Sequence, residues 1–373
     1  MKLKKLVLPF LSFGLALFAS GLLVAFSDSK VLALKGAPLE MLQKALSTAG
    51  GAYWALFRGS IFDPQLAQDR FIEGFYPFSE TLVAATPLIL TGLSVALAFK
   101  AGLFNIGAQG QFIAGAIGAS WVGFTFELPV VIHTLAAMAA AIIFAGMYGG
   151  LVGLLKARTG AHEVIVTIML NYVALNFFTW LLRTPELLLE ANGGGTPKSD
   201  PPADTAMLPT LFGDMYKIHI GIFFAVAAAF IYWLLMDRSA IGYRFKMVGH
   251  NMSAARAAGI KVESTFIWAM AVSAAFAGLA AANQALSETG GITTSINANI
   301  GFDAITVALL GGNSAKGIFA AGLLFGAFKA GSPAMQVAGV SPEILGVWIC
   351  PIGSATPSSF ANRIDRYEIS FDK

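Results

Sequence analysis

The side chains whose types and spacing offer chemistry are amides and hydroxyls set in apolar surroundings. Ala101–Gln111 carries Asn105, Gln109 and Gln111 among three glycines. Farther along, Thr167 and Asn171 are four residues apart and, on a helix, share a face with Glu163. Amides and hydroxyls donate and accept hydrogen bonds but move no protons near neutral pH, so their chemistry is recognition of a polar solute or bonding between helices. Ala101–Gln111 fits a tight cytoplasmic hairpin between two helices. It equally fits a broken helix lining a solute path, because irregular backbone at membrane depth needs protein or a wet cavity to satisfy it. The polar stripe of the second segment suits the bundle interior or a pathway. As interhelical bonding alone it is worth about 1 kcal/mol or less per contact. Thr159 is expected to cap the helix that Glu163 opens.

Other chemistries lack their residues. The four histidines, His133, His162, His219 and His250, are scattered, without HExxH or comparable ligand spacing. One cysteine, Cys350, excludes an internal disulfide framework and any multi-cysteine metal site. No phosphate-binding Gly-x-x-x-x-Gly-Lys-Ser/Thr loop occurs, and Gly311–Gly317 has the wrong spacing. The chain is therefore expected to hold no cofactor or metal, to hydrolyse no ATP, and not to be an enzyme.

These polar groups must be positioned by apolar elements. Of 373 residues, 56% are apolar and 12% charged, with a mean hydropathy of +0.71. That is about half the charge of a soluble domain, which excludes a soluble enzyme, a disordered chain and a nucleic-acid binder. A span needs about 20 apolar residues. Spans are predicted near 6–26, 81–99, 110–126, 130–154, 163–182, 218–236 and 264–286, with a shorter pair near 302–314 and 317–334. The first follows Lys2, Lys4 and Lys5 and exceeds a signal-peptide core in length, so an uncleaved anchor is expected.

With the N-terminus inside, the inner segments hold twelve Lys or Arg and three acids, whereas the outer ones hold eight Lys or Arg and thirteen acids. Basic loops stay cytoplasmic, so this orientation is self-consistent. An interfacial helix is expected over 52–62 within the outer loop 27–80, and an irregular loop over 190–210. Gly146-x-x-x-Gly150, Gly149-x-x-x-Gly153 and Gly322-x-x-x-Gly326 have the spacing of close helix packing. In the inner loop 238–263, Asn251–Gly259 reads as a short Ala-rich helix with a polar cap, suited either to docking a cytoplasmic partner or to a solvated connector.

Three blocks carry a family resemblance: Leu103–Gln111 (LFNIGAQGQ), His162–Tyr172 (HEVIVTIMLNY) and Val248–Ile260 (VGHNMSAARAAGI). They resemble the permease subunits of bacterial ABC importers, in the nucleoside and simple-sugar branch related to the branched-chain amino-acid permeases. The resemblance runs from about Pro87 to about Gly331. It implies an all-α polytopic fold of nine or ten helices in the manner of type II importers, embedded in the inner membrane and its lipid. It also implies a second permease, ATP-binding subunits, and a periplasmic or lipoprotein substrate-binding protein. Asn105, Gln109, Gln111, Thr167 and Asn171 become candidates for the translocation path. Arg244, Gly249, Asn251, Ala254, Ala255, Arg256 and Gly259 become the ATPase coupling loop.

The permease domain is assigned to 1–346. Residues 347–373 depart from the pattern: Pro351, Pro357, Arg363, Asp365 and Arg366 stand where a last apolar helix is expected. A frameshift or truncation near Gly346, leaving a disordered tail, is the expectation there, and resequencing the gene checks it. The rivals are an ion-coupled secondary transporter, which needs ionisable groups near the midplane, and a membrane-embedded acyltransferase, for which no Ser/His or His/Asp pair is suitably spaced.

Overall fold

The computed structural model describes residues 37–339 apart from 69, 186, 189–196, 214–215, 288 and 298, together with the isolated positions 18, 21, 22 and 31. The Gly193–Gly195 stretch, the 347–373 tail and, apart from positions 18, 21 and 22, the first predicted span therefore lie outside the described residues. Those described form helices joined by turns; only two isolated bridges occur among them, Lys198 with Thr293 and Thr210 with His219. They fall into two compact units, one drawn from 1–78 and 328–373, the other from 79–327.

In the first unit, α1 (Pro38–Ser60) covers all but the last two residues of the predicted interfacial segment and begins well before it. Its Trp54 and Phe57 stack at 5.6 Å and stay exposed. Gly59 lets the α1 backbone meet Gly331, where an added Cβ would sit 3.0 Å from the Gly331 Cα. After α1, Arg58 grips Asp63 at 3.0 Å, and Phe62 packs among Phe71 and Phe75 of a 3-10 turn, Phe71–Phe75.

Next come α2 (Tyr76–Lys100), α3 (Ala108–Thr125), α4 (Val130–Thr159) and α5 (Glu163–Leu181). Then follow α6 (Gly221–Trp233), a wide π turn (Leu234–Arg238), α7 (Ala240–His250), α8 (Met252–Ala257), α9 (Val262–Ala285), α10 (Ile300–Leu310) and α11 (Ala315–Val337). By length and composition, six described stretches can cross a membrane: Phe71–Lys100, Val130–Thr159, Glu163–Leu181, Gly221–Arg238, Val262–Ala285 and Ala315–Val337.

One predicted span takes a different form. Over 110–126 the helix is present as α3, but 13 of its 18 residues are buried and its first turn carries two glutamines, so it is an interior helix with little lipid-facing surface. The element expected to be short near 302–314 is α10, whose 11 residues reach about 16 Å at 1.5 Å per residue, half a membrane. Gly312 and Asn313, both at positive φ, turn the backbone after it.

The glycine spacings act as expected, but selectively. Gly149 and Gly153 bring α4 against the α9 backbone, where a Cβ on Gly153 would lie 2.7 Å from the Ile267 Cα. Gly146 and Gly150 have ordinary clearance. Gly322 and Gly326 similarly admit Ile89 and Ala85 of α2. Thr159 does not cap α5: its hydroxyl bonds back to the Leu155 carbonyl at the end of α4. The α4–α5 turn is held instead by left-handed Gly160 and by Lys156, which reaches Glu163 at 2.6 Å.

Candidate translocation cavity and coupling loop

The loop between α2 and α3 leaves polar backbone inside the bundle, and Asn105 at its centre satisfies much of it. The Asn105 Oδ1 accepts from the Gly107 N–H at 2.9 Å, while its Nδ2 donates to the Gln111 Oε1 at 3.0 Å and to the Ser273 Oγ of α9 at 3.2 Å. Ser273 in turn donates to the Ser94 carbonyl of α2 at 2.8 Å. Asn105, Gln111, Ser94 and Ser273 are all fully buried. The network ties α2, the loop, α3 and α9 together.

Asn171 of α5 caps the start of α3 from across the bundle. Its Oδ1 accepts from the Gly110 N–H at 2.8 Å, and its Nδ2 donates to the Ile106 carbonyl at 3.0 Å. Thr167, one turn earlier, bonds within α5 to the Glu163 and Val164 carbonyls. Gln109 reaches the other way: its Oε1 accepts from the Gly301 N–H at 2.9 Å and caps α10. Only glycine fits at 301, because a side chain there would strike the Gln109 backbone. The N-termini of α3 and α10, each carrying the positive end of a helix dipole, thus converge.

Beside them lies a cavity of about 610 Å³. Gln109 and Asn171 line it with Tyr172, Thr294, Asn297, Asn299 and Phe302, over an aliphatic wall that includes Ile113, Ile168 and Leu175. None of the described lining residues carries a formal charge. The side chains of Asn297 and Asn299 and the Nε2 of Gln109 have no hydrogen-bond partner among the described residues, so three amides remain available to a solute. Of the five predicted path residues, the cavity gathers Gln109 and Asn171. Asn105 and Gln111 lie in the network, and Thr167 lies against its own helix.

Sequence reasoning missed Tyr172, Asn297, Asn299 and Phe302. Tyr172 stood within a quoted block, and 293–299 is dense in Thr, Ser and Asn immediately before an apolar run. That is the signal of a polar lead-in to a helix. Asn299 opens α10 at φ +60, a left-handed position that asparagine tolerates better than most residues.

The predicted coupling loop is two helices rather than one. Ser239 caps α7, accepting from the Gly242 N–H at 3.1 Å, and Asn251 caps α8, accepting from the Ala254 N–H at 3.0 Å. Gly259 follows α8 at φ +78 with open space around it, the expected helix stop. Arg244, Asn251, Ala254, Arg256 and Gly259 are exposed, whereas Ala255 is buried, and Arg256 pairs with Glu263 at 2.8 Å.

Gly249 is the joint. Its missing Cβ would sit 2.7 Å from the Gly102 nitrogen, and Gly102, at φ +74, faces the Gly249 Cα at the same distance. Asp237 adds ion pairs to Lys246 at 2.7 Å and to Lys100 at 3.7 Å, clamping α7 and the π turn to the end of α2. Among the described residues no group of three or more His, Cys, Asp or Glu is placed to hold a metal ion.

Comparison with known proteins adds to this geometry. The family described as "Branched-chain amino acid transport system / permease component" matches residues 78–349. The chain is 38% identical over 340 residues to the guanosine ABC transporter permease protein of Bacillus subtilis, covering 89% of this chain and 92% of that protein. It is 33% identical over 323 residues to the glucose ABC transporter permease protein of Haloferax volcanii, covering 83% of each. It is 36% identical over 275 residues to the nucleoside ABC transporter permease protein of Lactococcus lactis, covering 72% and 75%. No solved structure matches the chain.

Proposed function

The chain belongs to the branched-chain amino acid transport system permease family, and from that premise we propose that it carries a neutral ring solute, a nucleoside before a simple sugar, into the cell. As an ABC importer permease it is a membrane transport subunit and not an enzyme. The observation that carries the solute class is the lining of the cavity: four amides and two aromatic rings without a formal charge. A zwitterionic amino acid needs negative charge to replace the hydration of its ammonium group, and none of the described lining residues offers it. A nucleobase or sugar ring needs amide partners for its edges or hydroxyls and a flat or aliphatic face to rest on. The relatives named for guanosine, nucleosides and glucose support the same class.

The remaining assignments belong to the same reading. Gln109, Asn171, Tyr172, Asn297, Asn299 and Phe302 form the path. Asn105, Gln111 and Thr167 act by holding α3 and α5 where the path needs them. The family supports a second permease, an ATP-binding subunit that uses the ATP, and a periplasmic or lipoprotein substrate-binding protein as partners. The ATPase seats on the exposed side of α7 and α8, with Arg244, Asn251, Ala254 and Arg256 at its surface. Its movement passes through Gly249 to Gly102, and so to the loop that carries Asn105 and begins α3. Inner-membrane location with a cytoplasmic N-terminus is supported by the basic inner segments. A total of nine spanning or part-spanning helices counts the six described spans, α3, α10 and the apolar stretch 6–26.

Uptake of labelled guanosine, ribose and leucine by cells expressing the chain with its ATPase and binding protein tests the reading. ATP-dependent guanosine uptake, competed by other nucleosides and not by leucine, is the expected result. Uptake that survives ATP depletion and collapses with the ion gradient overturns it in favour of a secondary transporter.

A further inference from the structure

On the outer side of α6 lies a groove that the solute path does not use. Val226, Ala229, Phe230 and Trp233 form one face of α6 at helical spacing, and Ala315 and Phe319 of α11 form the opposite wall of a space of about 620 Å³. From Val226 to Trp233 the groove runs about 10 Å along the helix, the depth of the upper part of an acyl chain. Its one polar lining residue is Lys316.

The charged end is built as carefully as the apolar one. The Arg238 guanidinium lies over the Trp233 ring at 5.2 Å, and Lys316 lines the groove beside the same tryptophan. The Tyr232 hydroxyl donates to the Asn313 carbonyl at 2.8 Å, which pins the end of α6 to the turn three residues before Lys316. Neither Arg238 nor Lys316 has a carboxylate partner among the described residues, and neighbouring Asp237 is already held by Lys100 and Lys246. Two cations and an interfacial tryptophan thus cap an apolar trough in a chain that spans the membrane.

We propose that this groove binds an anionic phospholipid, with its phosphate between Arg238 and Lys316 and one acyl chain along the α6 face. Basic pockets between transmembrane helices select anionic headgroups in this way. A transported polar solute would meet one polar group and a wall of apolar ones. A second copy of the chain placed across a two-fold axis would set the two cations against themselves. The inference concerns the lipid-facing side of α6 and stands whichever solute the cavity carries.

Tryptophan fluorescence of the full chain, purified with its partner subunits and delipidated, supplies the test. The Trp233 component is isolated by subtracting the W233F signal, and acyl-brominated phosphatidylglycerol or phosphatidylcholine serves as the quencher. The anionic lipid is expected to quench at about 30-fold lower concentration than the zwitterionic one, the effect of two interfacial cations. The R238Q/K316Q variant is expected to erase that difference, and inorganic phosphate, which has no chain, to leave the quench unchanged. Equal quenching by both lipids in the unaltered protein, a comparison that needs no cation variant, overturns the proposal. So does selectivity that survives in R238Q/K316Q. Absence of Trp233 quenching by either lipid also overturns it, because the groove is then covered by protein.

Discussion

Two sets of amides stand within one bundle and are used in opposite ways. Asn105 and Gln111 spend their hydrogen bonds on each other, on the Gly107 backbone and on Ser273, with no exposed surface left. Gln109, Asn297 and Asn299 keep amide groups directed to a cavity, and Asn171 serves both sides, capping α3 while lining the space. The residue types are the same, so type does not separate scaffold from site. The count of partners does: a buried amide with every bond made fixes backbone, and one with bonds to spare can exchange them with a solute.

Substitutions that treat the two sets alike should give unlike results. The largest expected effect is at Asn105. Asn105→Leu strands the Gly107 amide, Gln111 and Ser273 in a buried site and is expected to cost about 4 kcal/mol, at roughly 1–3 kcal/mol per orphaned group. A melting temperature of the purified protein within a degree or two of the parent would show that the network is not what holds the loop.

His219 tests a third condition, buried but incompletely satisfied. Its Nδ1 accepts from the Gly221 amide at 3.2 Å, and its Nε2 has no partner among the described residues. Burial lowers its pKa to about 4, from an ordinary value of 6.5. The unfolded chain therefore takes up the proton first, and this contribution to stability is intact above pH 6.5 and fades as the pH falls toward 4. The loss at pH 4 is on the order of 3 kcal/mol, at 1.36 kcal/mol per pKa unit. Melting curves across that window should flatten in His219→Gln, and an unchanged slope would remove His219 as the cause.

Smaller effects are expected on the cavity side. Asn297→Ala should raise the apparent KM for uptake about tenfold, or 1.4 kcal/mol, with the melting temperature unmoved. A fall in melting temperature with KM unchanged would assign Asn297 to the scaffold instead. Gln109→Leu is expected to do a little of both, losing about 1 kcal/mol as a cap on α10 and weakening uptake in the same protein. Finding only one of the two losses would break its double role.

Much of the fold was legible because strong apolar runs announce themselves. Val130–Thr159, Glu163–Leu181 and Val262–Ala285 lie within a few residues of their predicted limits. Composition gave α10 as a short element, and the turn at Gly312 and Asn313 follows its end. It also gave α3 a lipid face, since periodicity does not reveal that neighbours enclose a helix on nearly every side. The lining of the candidate cavity was half legible. Gln109 and Asn171 were conspicuous as amides in apolar company, and 293–299 passed as an ordinary connecting segment because nothing local brings it to α3. That approach is made by one glycine, Gly301, and by one long-range hydrogen bond.

The enclosure of α3 bears on how the protein is made. A segment that opens with Gln109 and Gln111 brings to the membrane two amides that lipid cannot satisfy, and in the finished fold it turns little surface to lipid. Its partners in the finished protein, the Asn171 cap and the α9 seam, are encoded downstream and emerge later from the ribosome. The packing of α3 is therefore complete only once the second half of the chain is in place.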